Sequence, residues 1–151
     1  MFARLAIALI AVLASTPALA QADGIIRVRS AYSMPETIER IKQDVAAKGI
    51  KFFSEVDQSA LAAAAGIKLR PSTLLTFGNP ALGTLFITAK PEAGLDWPVR
   101  LLVTQDDNGA VWAVYTDFKW IAARHGIHDR DREFATATGV IGSITSSVAA
   151  H

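Results

Sequence analysis

The sequence predicts an α+β two-layer sandwich: a mostly antiparallel sheet with helices on one face. Three observations predict it. Strand-like and helix-like segments follow one another in the order β-α-β-α-β-α-β-β-α-α. The last two strand segments flank Asp106-Asp107-Asn108-Gly109, and apolar runs around an Asn-Gly turn form a hairpin, which argues against a doubly wound parallel sheet. The chain has 151 residues and no cysteine, which suits one domain whose core holds without disulfides.

Ile25–Arg29 alternates β-branched and basic residues and reads as the first strand. Ser33-Met34-Pro35-Glu36 has the spacing of a capping box, with proline in the first turn. Ile38, Ile41 and Val45 then recur at helical spacing, and Lys48-Gly49 ends that helix. Residues 50–56 read as a second strand. Asp57 caps a short alanine-rich helix over 58–65, stopped by Gly66. Residues 72–77 are apolar and β-like, with Pro71 at their edge. Asn79 and Pro80 open a helix that runs to about Ala89. Pro91–Pro98 reads as a loop. Val99–Gln105 and 110–116 form the hairpin. Asp117 caps a helix ending at His125-Gly126, and 129–149 carries an apolar stripe of Phe134, Ala137, Ile141, Ile144 and Val148.

Residues 1–20 have the three parts of a secretory signal: a basic start at Arg4, an apolar run, and a small-residue cleavage site at Ala18-Leu19-Ala20. The expectation is cleavage after Ala20, a periplasmic or secreted domain over 21–151, and no stable membrane anchor afterwards. Arg4 is one of 15 basic residues, so the mature chain carries 14 of each sign. A neutral balance supplies no electrostatic attraction for nucleic acid.

The chemistry-bearing residues lack a diagnostic motif. There is no nucleophile elbow and no phosphate loop. His125 and His128 flank Gly126, so they need not share a helix face, and neither a metal nor a cofactor is expected. Asn79 and Thr84 stand near a helix start, where free N–H groups can hold an anion. Asp96 neighbours Trp97, which reads either as a pocket wall or as a cover for the core edge. Arg70, Arg100 and Arg124 are candidates to pair with Asp96. Trp112 and Tyr115 fall on opposite faces of one strand.

Taken together, these residues resemble the bacterial and archaeal domain of unknown function 302 family. The resemblance runs from about Tyr32 to Ile127. It rests on Tyr32-Ser33 leading into Thr37-Ile38, on Leu69-Arg70-Pro71, and on Phe77-Gly78-Asn79-Pro80 with Gly83-Thr84. It continues through Gly94-Leu95-Asp96, Pro98, Arg100-Leu101-Leu102-Val103, Val111-Trp112, Tyr115 and Ala123-Arg124-His125-Gly126. It implies a compact α+β domain and a homodimer, and no particular activity. Similar sequences often carry Asp-His where this chain has Asp57-Gln58, and Lys where it has Arg100.

Three functional readings follow. The first is a small-ligand-binding module, with candidates Arg70, Asn79, Thr84, Asp96, Tyr115, Arg124 and His125, some of which converge on a pocket for a small anionic ligand. The second is a structural or interaction domain whose outer sheet face meets a partner. The third is an acid–base enzyme using Asp96 or His125, with Arg70 or Arg124 holding an anionic substrate.

Overall fold

The structure, a computed structural model, describes residues 23–150. The expected signal segment lies outside the described residues. Five strands, β1 (Ile25–Arg29), β2 (Lys51–Asp57), β3 (Ser72–Gly78), β4 (Val99–Gln105) and β5 (Val111–Thr116), form one sheet in the order β1-β5-β4-β3-β2. Every neighbouring pair is antiparallel. The helices are α1 (Met34–Ala47), α2 (Gln58–Ala64), α3 (Pro80–Ala89), α4 (Phe118–His125) and α5 (Asp131–Ser146). The α+β class and the element order are those read from the sequence, with one addition. Pro91–Asp96, expected as a loop, winds into a 3-10 turn, in keeping with proline at its first position.

Alternation of side chains gives the sheet two unlike faces. Leu75, Phe77, Leu101, Val103 and Ala113 are buried on one. They join Ile41 and Val45 of α1, Phe86 of α3, Phe118 and Ile121 of α4, and Phe134, Ile141 and Ile144 of α5 in a single core. Phe86 and Phe134 stack at 4.2 Å, which fixes α3 against α5. The opposite face carries the cross-strand row Val56, Leu74, Leu102 and Val114, all half-buried, with Ser54 and Thr76 beside it. It is neither wholly polar nor a continuous apolar sheet. Ser72, at its end, is closed off by Gln58, whose side-chain oxygen accepts its hydroxyl at 2.7 Å.

The end of α5 returns to the first strand. The N–H of Ala150 donates to Arg29, and that of Ala31 to Val148. The C-terminal helix thus packs on its own chain, with Ile144 and Val148 fully buried.

Two local expectations differ in detail. Ser33 precedes α1 but makes no side-chain cap. Its carbonyl instead accepts both the N–H and the hydroxyl of Thr37, each at 2.8 Å, while Glu36 turns outward to Arg40. The last helix begins at Asp131, not Asp129, because the Arg130 guanidinium holds the Asp129 carboxylate and carbonyl outside it.

The hairpin turn is organised by a carboxylate. Gly109 takes φ +80°, and no residue other than glycine has positive φ among the described residues. Asp106 accepts the N–H groups of Asn108 and Ala110 on one oxygen and the Trp112 indole N–H on the other, at 2.8–2.9 Å. The Trp112 bond foremost, and the two backbone bonds after it, hold the Asp106 carboxyl below the usual aspartate range. A carboxylate so depressed contributes stability above its unfolded pKa and loses it as pH falls through the folded one. The hairpin should therefore loosen only below about pH 4. Amide exchange at Asn108 and Ala110, normalised for intrinsic rates, should accelerate in that window, and Asp106→Asn should abolish the pH dependence. Unchanged protection down to pH 2 would contradict this.

Candidate functional site

The antiparallel order brings the end of β3, the start of β4 and the end of β5 to one edge of the sheet. The 3-10 turn and α4 close over that edge. Two features meet there, a buried ionic cluster and an apolar groove.

Asp96 ends the 3-10 turn with its side chain 4 % exposed. It accepts from Arg100 on β4 at 2.8 Å, from Arg124 on α4 at 3.0 Å, and pairs with His125 Nε2 at 2.7 Å. His125 is itself 6 % exposed, while the two arginines are about half exposed. Arg124 also lies over the Trp120 ring at 5.6 Å. The cluster ties three elements to one carboxylate. It encloses only about 10 Å³ of free space, which is at most the room one water needs. Its chemistry is that of a clamp.

The groove is different in size and lining. It holds about 460 Å³ between β3, α3 and α5. Phe77, Leu82, Phe86, Trp97, Val99 and Phe118 form much of its wall, with Val140 and Ile141 from α5. Val99 and Phe118 also line the small space at Asp96, so they separate groove from cluster. The polar groups at the groove are mostly engaged. Lys48 is bound to Asp44 at 2.6 Å, Asn79 caps α3 through Ala81 and Leu82, and the Thr136 hydroxyl donates to Arg132. Gly139 lines the groove, and a Cβ added there would meet nothing within 4 Å.

Of the residues singled out in the sequence, Asp96, Arg124 and His125 come together, with Arg100 as a fourth member. Arg70 does not join them. It precedes β3 at the opposite end of the sheet and pairs with Asp107 of the hairpin turn. Asn79 borders the groove but serves as a helix cap. Thr84 is exposed and returns its hydroxyl to Pro80 along its own helix. Tyr115 lies on the core face and Trp112 on the other. Burial, against a bond to Thr145, pushes the Tyr115 phenol up. His125 and His128 part company: the first turns inward to Asp96, and the second is exposed beyond Gly126. Strand direction sends Arg70 and Asp96 to opposite ends of the sheet, so of the seven candidates Asp96, Arg124 and His125 meet and the other four do not. The sequence reading missed the groove. Gly78 and Gly83, close together before and inside one helix, were its available signal.

A sequence profile described as domain of unknown function DUF302 matches residues 26–144. The chain belongs to the DUF302 family. The crystal structure of an uncharacterized conserved DUF302 protein from Bacillus stearothermophilus superposes with a TM-score of 0.77. It covers 84 % of this chain and 99 % of that one at 16 % identity, which supports the shared fold alone. Among curated proteins, this DUF302 chain is 40 % identical over 105 residues to proteins named fluoride-specific ion channel FluC 1 from Brucella suis and Brucella abortus. The match takes 70 % of this chain but only 41 % and 39 % of those relatives' length. Among the described residues, no helix is long and apolar enough to cross a membrane. The Asp57-Gln58 departure also finds its place in this DUF302 domain. Asp57 caps α2 by accepting the N–H of Ala60 at 2.9 Å, and Gln58 holds Ser72.

Proposed function

We propose that the domain binds a small, largely apolar molecule in the groove between β3, α3 and α5. The observation that carries this reading is the groove itself: about 460 Å³ walled by aromatic and aliphatic side chains, within the range of ligand pockets. The anionic-ligand reading has less support, because Arg124 is held by Asp96, Arg70 pairs with Asp107 at the opposite end of the sheet, and the space beside Asp96 is minimal. The acid–base reading meets the same obstacle. Asp96 and His125 are in contact, but the space beside Asp96 holds only about 10 Å³.

The test is titration with N-phenyl-1-naphthylamine, an uncharged probe that brightens in apolar surroundings. The wild-type protein should show saturable one-to-one binding. Gly139→Leu should abolish it while raising Tm slightly, since leucine improves on glycine in a helix by under about 1 kcal/mol. Equal binding by the two proteins would remove the groove as the site. We also propose a periplasmic or secreted location, supported by the signal-like pattern of residues 1–20, and fractionation of cells making the full chain tests it. Native mass spectrometry tests the expected homodimer.

A second reading is favoured by the Brucella relatives. A 40 % identical segment within proteins named fluoride channels suggests a module that works beside fluoride transport. Cells lacking this protein should then tolerate less fluoride than the parent. Equal tolerance would leave the ligand-binding reading standing alone.

A further inference from the structure

Among the described residues lining the groove, three side-chain donors lack an acceptor: the Asn79 amide and the Ser143 hydroxyl, both on exposed residues, and the half-buried Trp97 indole N–H. The Trp97 indole rests on two glycines. A Cβ built on Gly78 would lie 2.9 Å from Trp97 Nε1, and one on Gly83 would lie 1.8 Å from it. Both positions must lack a side chain for the indole to lie where it does. The edge-on ring of Phe53, at 5.8 Å and 77°, supports the indole from β2. The residue before Trp97 is Asp96, held by Arg100, Arg124 and His125. The indole is therefore fixed from several sides.

Its N–H is nevertheless unoccupied. No described residue accepts from Trp97 Nε1, whereas no buried side-chain nitrogen or oxygen among the described residues lacks a partner. The Nε1 atom thus reaches open space, and Trp97 lines the groove. Indole N–H groups that leave water usually find an acceptor, and an unmet donor in a closed apolar site is costly. A pure hydrocarbon would strand it. A formal anion fits no better, because the one cation at the groove, Lys48, is already bound to Asp44. The aromatic walls Phe77, Phe86 and Phe118 suit a flat body.

We propose, resting on the groove reading above, that Trp97 Nε1 is the polar anchor of the groove. Its ligand is a flat, largely apolar molecule with one uncharged hydrogen-bond acceptor, such as a ketone, ester or ether oxygen. Asn79 and Ser143, both at the exposed rim, are the competing donors.

The test uses the full chain and three probes of one shape, measured by calorimetry: 2-acetylnaphthalene, 2-isopropylnaphthalene and 2-naphthoate. The ketone should bind about tenfold more tightly than the isopropyl compound, as one buried hydrogen bond allows. Naphthoate should bind no more tightly than the isopropyl compound. Trp97→Phe should bring the ratio of ketone to isopropyl affinity close to one, whereas Ser143→Ala and Asn79→Asp, which keeps the oxygen that caps α3, should leave that ratio intact. In the wild-type protein the Trp97 indole N–H proton should move downfield with the ketone alone, a readout that needs no variant. No ketone preference, a preference that survives Trp97→Phe or vanishes in Ser143→Ala or Asn79→Asp, tightest binding of naphthoate, or a still indole resonance would each overturn the anchor. Failure of all three probes to bind would overturn the groove reading with it.

Discussion

Replacing Gly83 by alanine should destabilise the protein by about 2–3 kcal/mol, although helix propensity alone argues for the opposite sign. Gly83 lies inside α3, where Gly→Ala ordinarily gains up to about 1 kcal/mol. Here the new Cβ would stand 1.8 Å from Trp97 Nε1 and 2.1 Å from its Cε2. The indole is large and rigid, and Gly78 and Phe53 limit its retreat. Overpacking of that kind costs about 1–3 kcal/mol. Expulsion of the indole would add lost apolar burial and remove one wall of the groove. The two terms outweigh the propensity gain, and Tm should fall by several degrees, roughly 8 °C. Gly139→Ala is the control. It sits on α5 with nothing within 4 Å of the new Cβ, so it should gain about 0.5–1 kcal/mol. Thermal unfolding of the two variants decides the matter. A Gly83→Ala protein as stable as the wild type would show that the indole is not seated as described.

Asp96→Ala should cost about 3 kcal/mol. The carboxylate is 4 % exposed and serves three cationic or ionisable partners. Hydrogen bonds to charged groups contribute about 1.5–3 kcal/mol each when buried. The Arg100 and Arg124 terms must be discounted, because both guanidiniums are half exposed and can turn to water. His125 cannot, being 6 % exposed, so most of the loss falls on the Asp96–His125 pair. Asp96→Asn, which keeps one acceptor, should cost about half as much. In urea unfolding, the double variant with His125→Ala should lose less than the sum of the two single losses, as directly coupled residues do. A cost below about 1 kcal/mol for Asp96→Ala would reduce the cluster to a surface ion-pair network.

The architecture was legible because its signals are local. The period-two run in β1, the Asn79-Pro80 helix start and the hairpin around Gly109 each lie within a few residues of chain. The cap at Ser33 was misread because a carbonyl, invisible as a residue type, does the work of the hydroxyl. The site was legible in part. Arg70, Arg100 and Arg124 were equal candidates for Asp96, and only the antiparallel order of β3 and β4 separates Arg70 from the others. The groove left one local trace, the pair Gly78 and Gly83, and no pattern in its wall residues. Its walls come from the end of α1, from β3, α3, the Trp97 loop, β4, α4 and α5, and such a space exists only once those elements pack. A glycine inside α3 reads in sequence as a weak point, whereas in the fold it is the seat of the indole.

The most direct test of the central claim is to locate a bound apolar probe. With methyl-labelled protein and N-phenyl-1-naphthylamine, the methyl resonances of Leu82, Val99, Val140 and Ile141 at the groove should shift saturably. Those of Leu61 on exposed α2, and of Leu74 and Leu102 on the opposite sheet face, should stay in place. Shifts confined to that opposite face, or no saturable shift anywhere, would contradict the account.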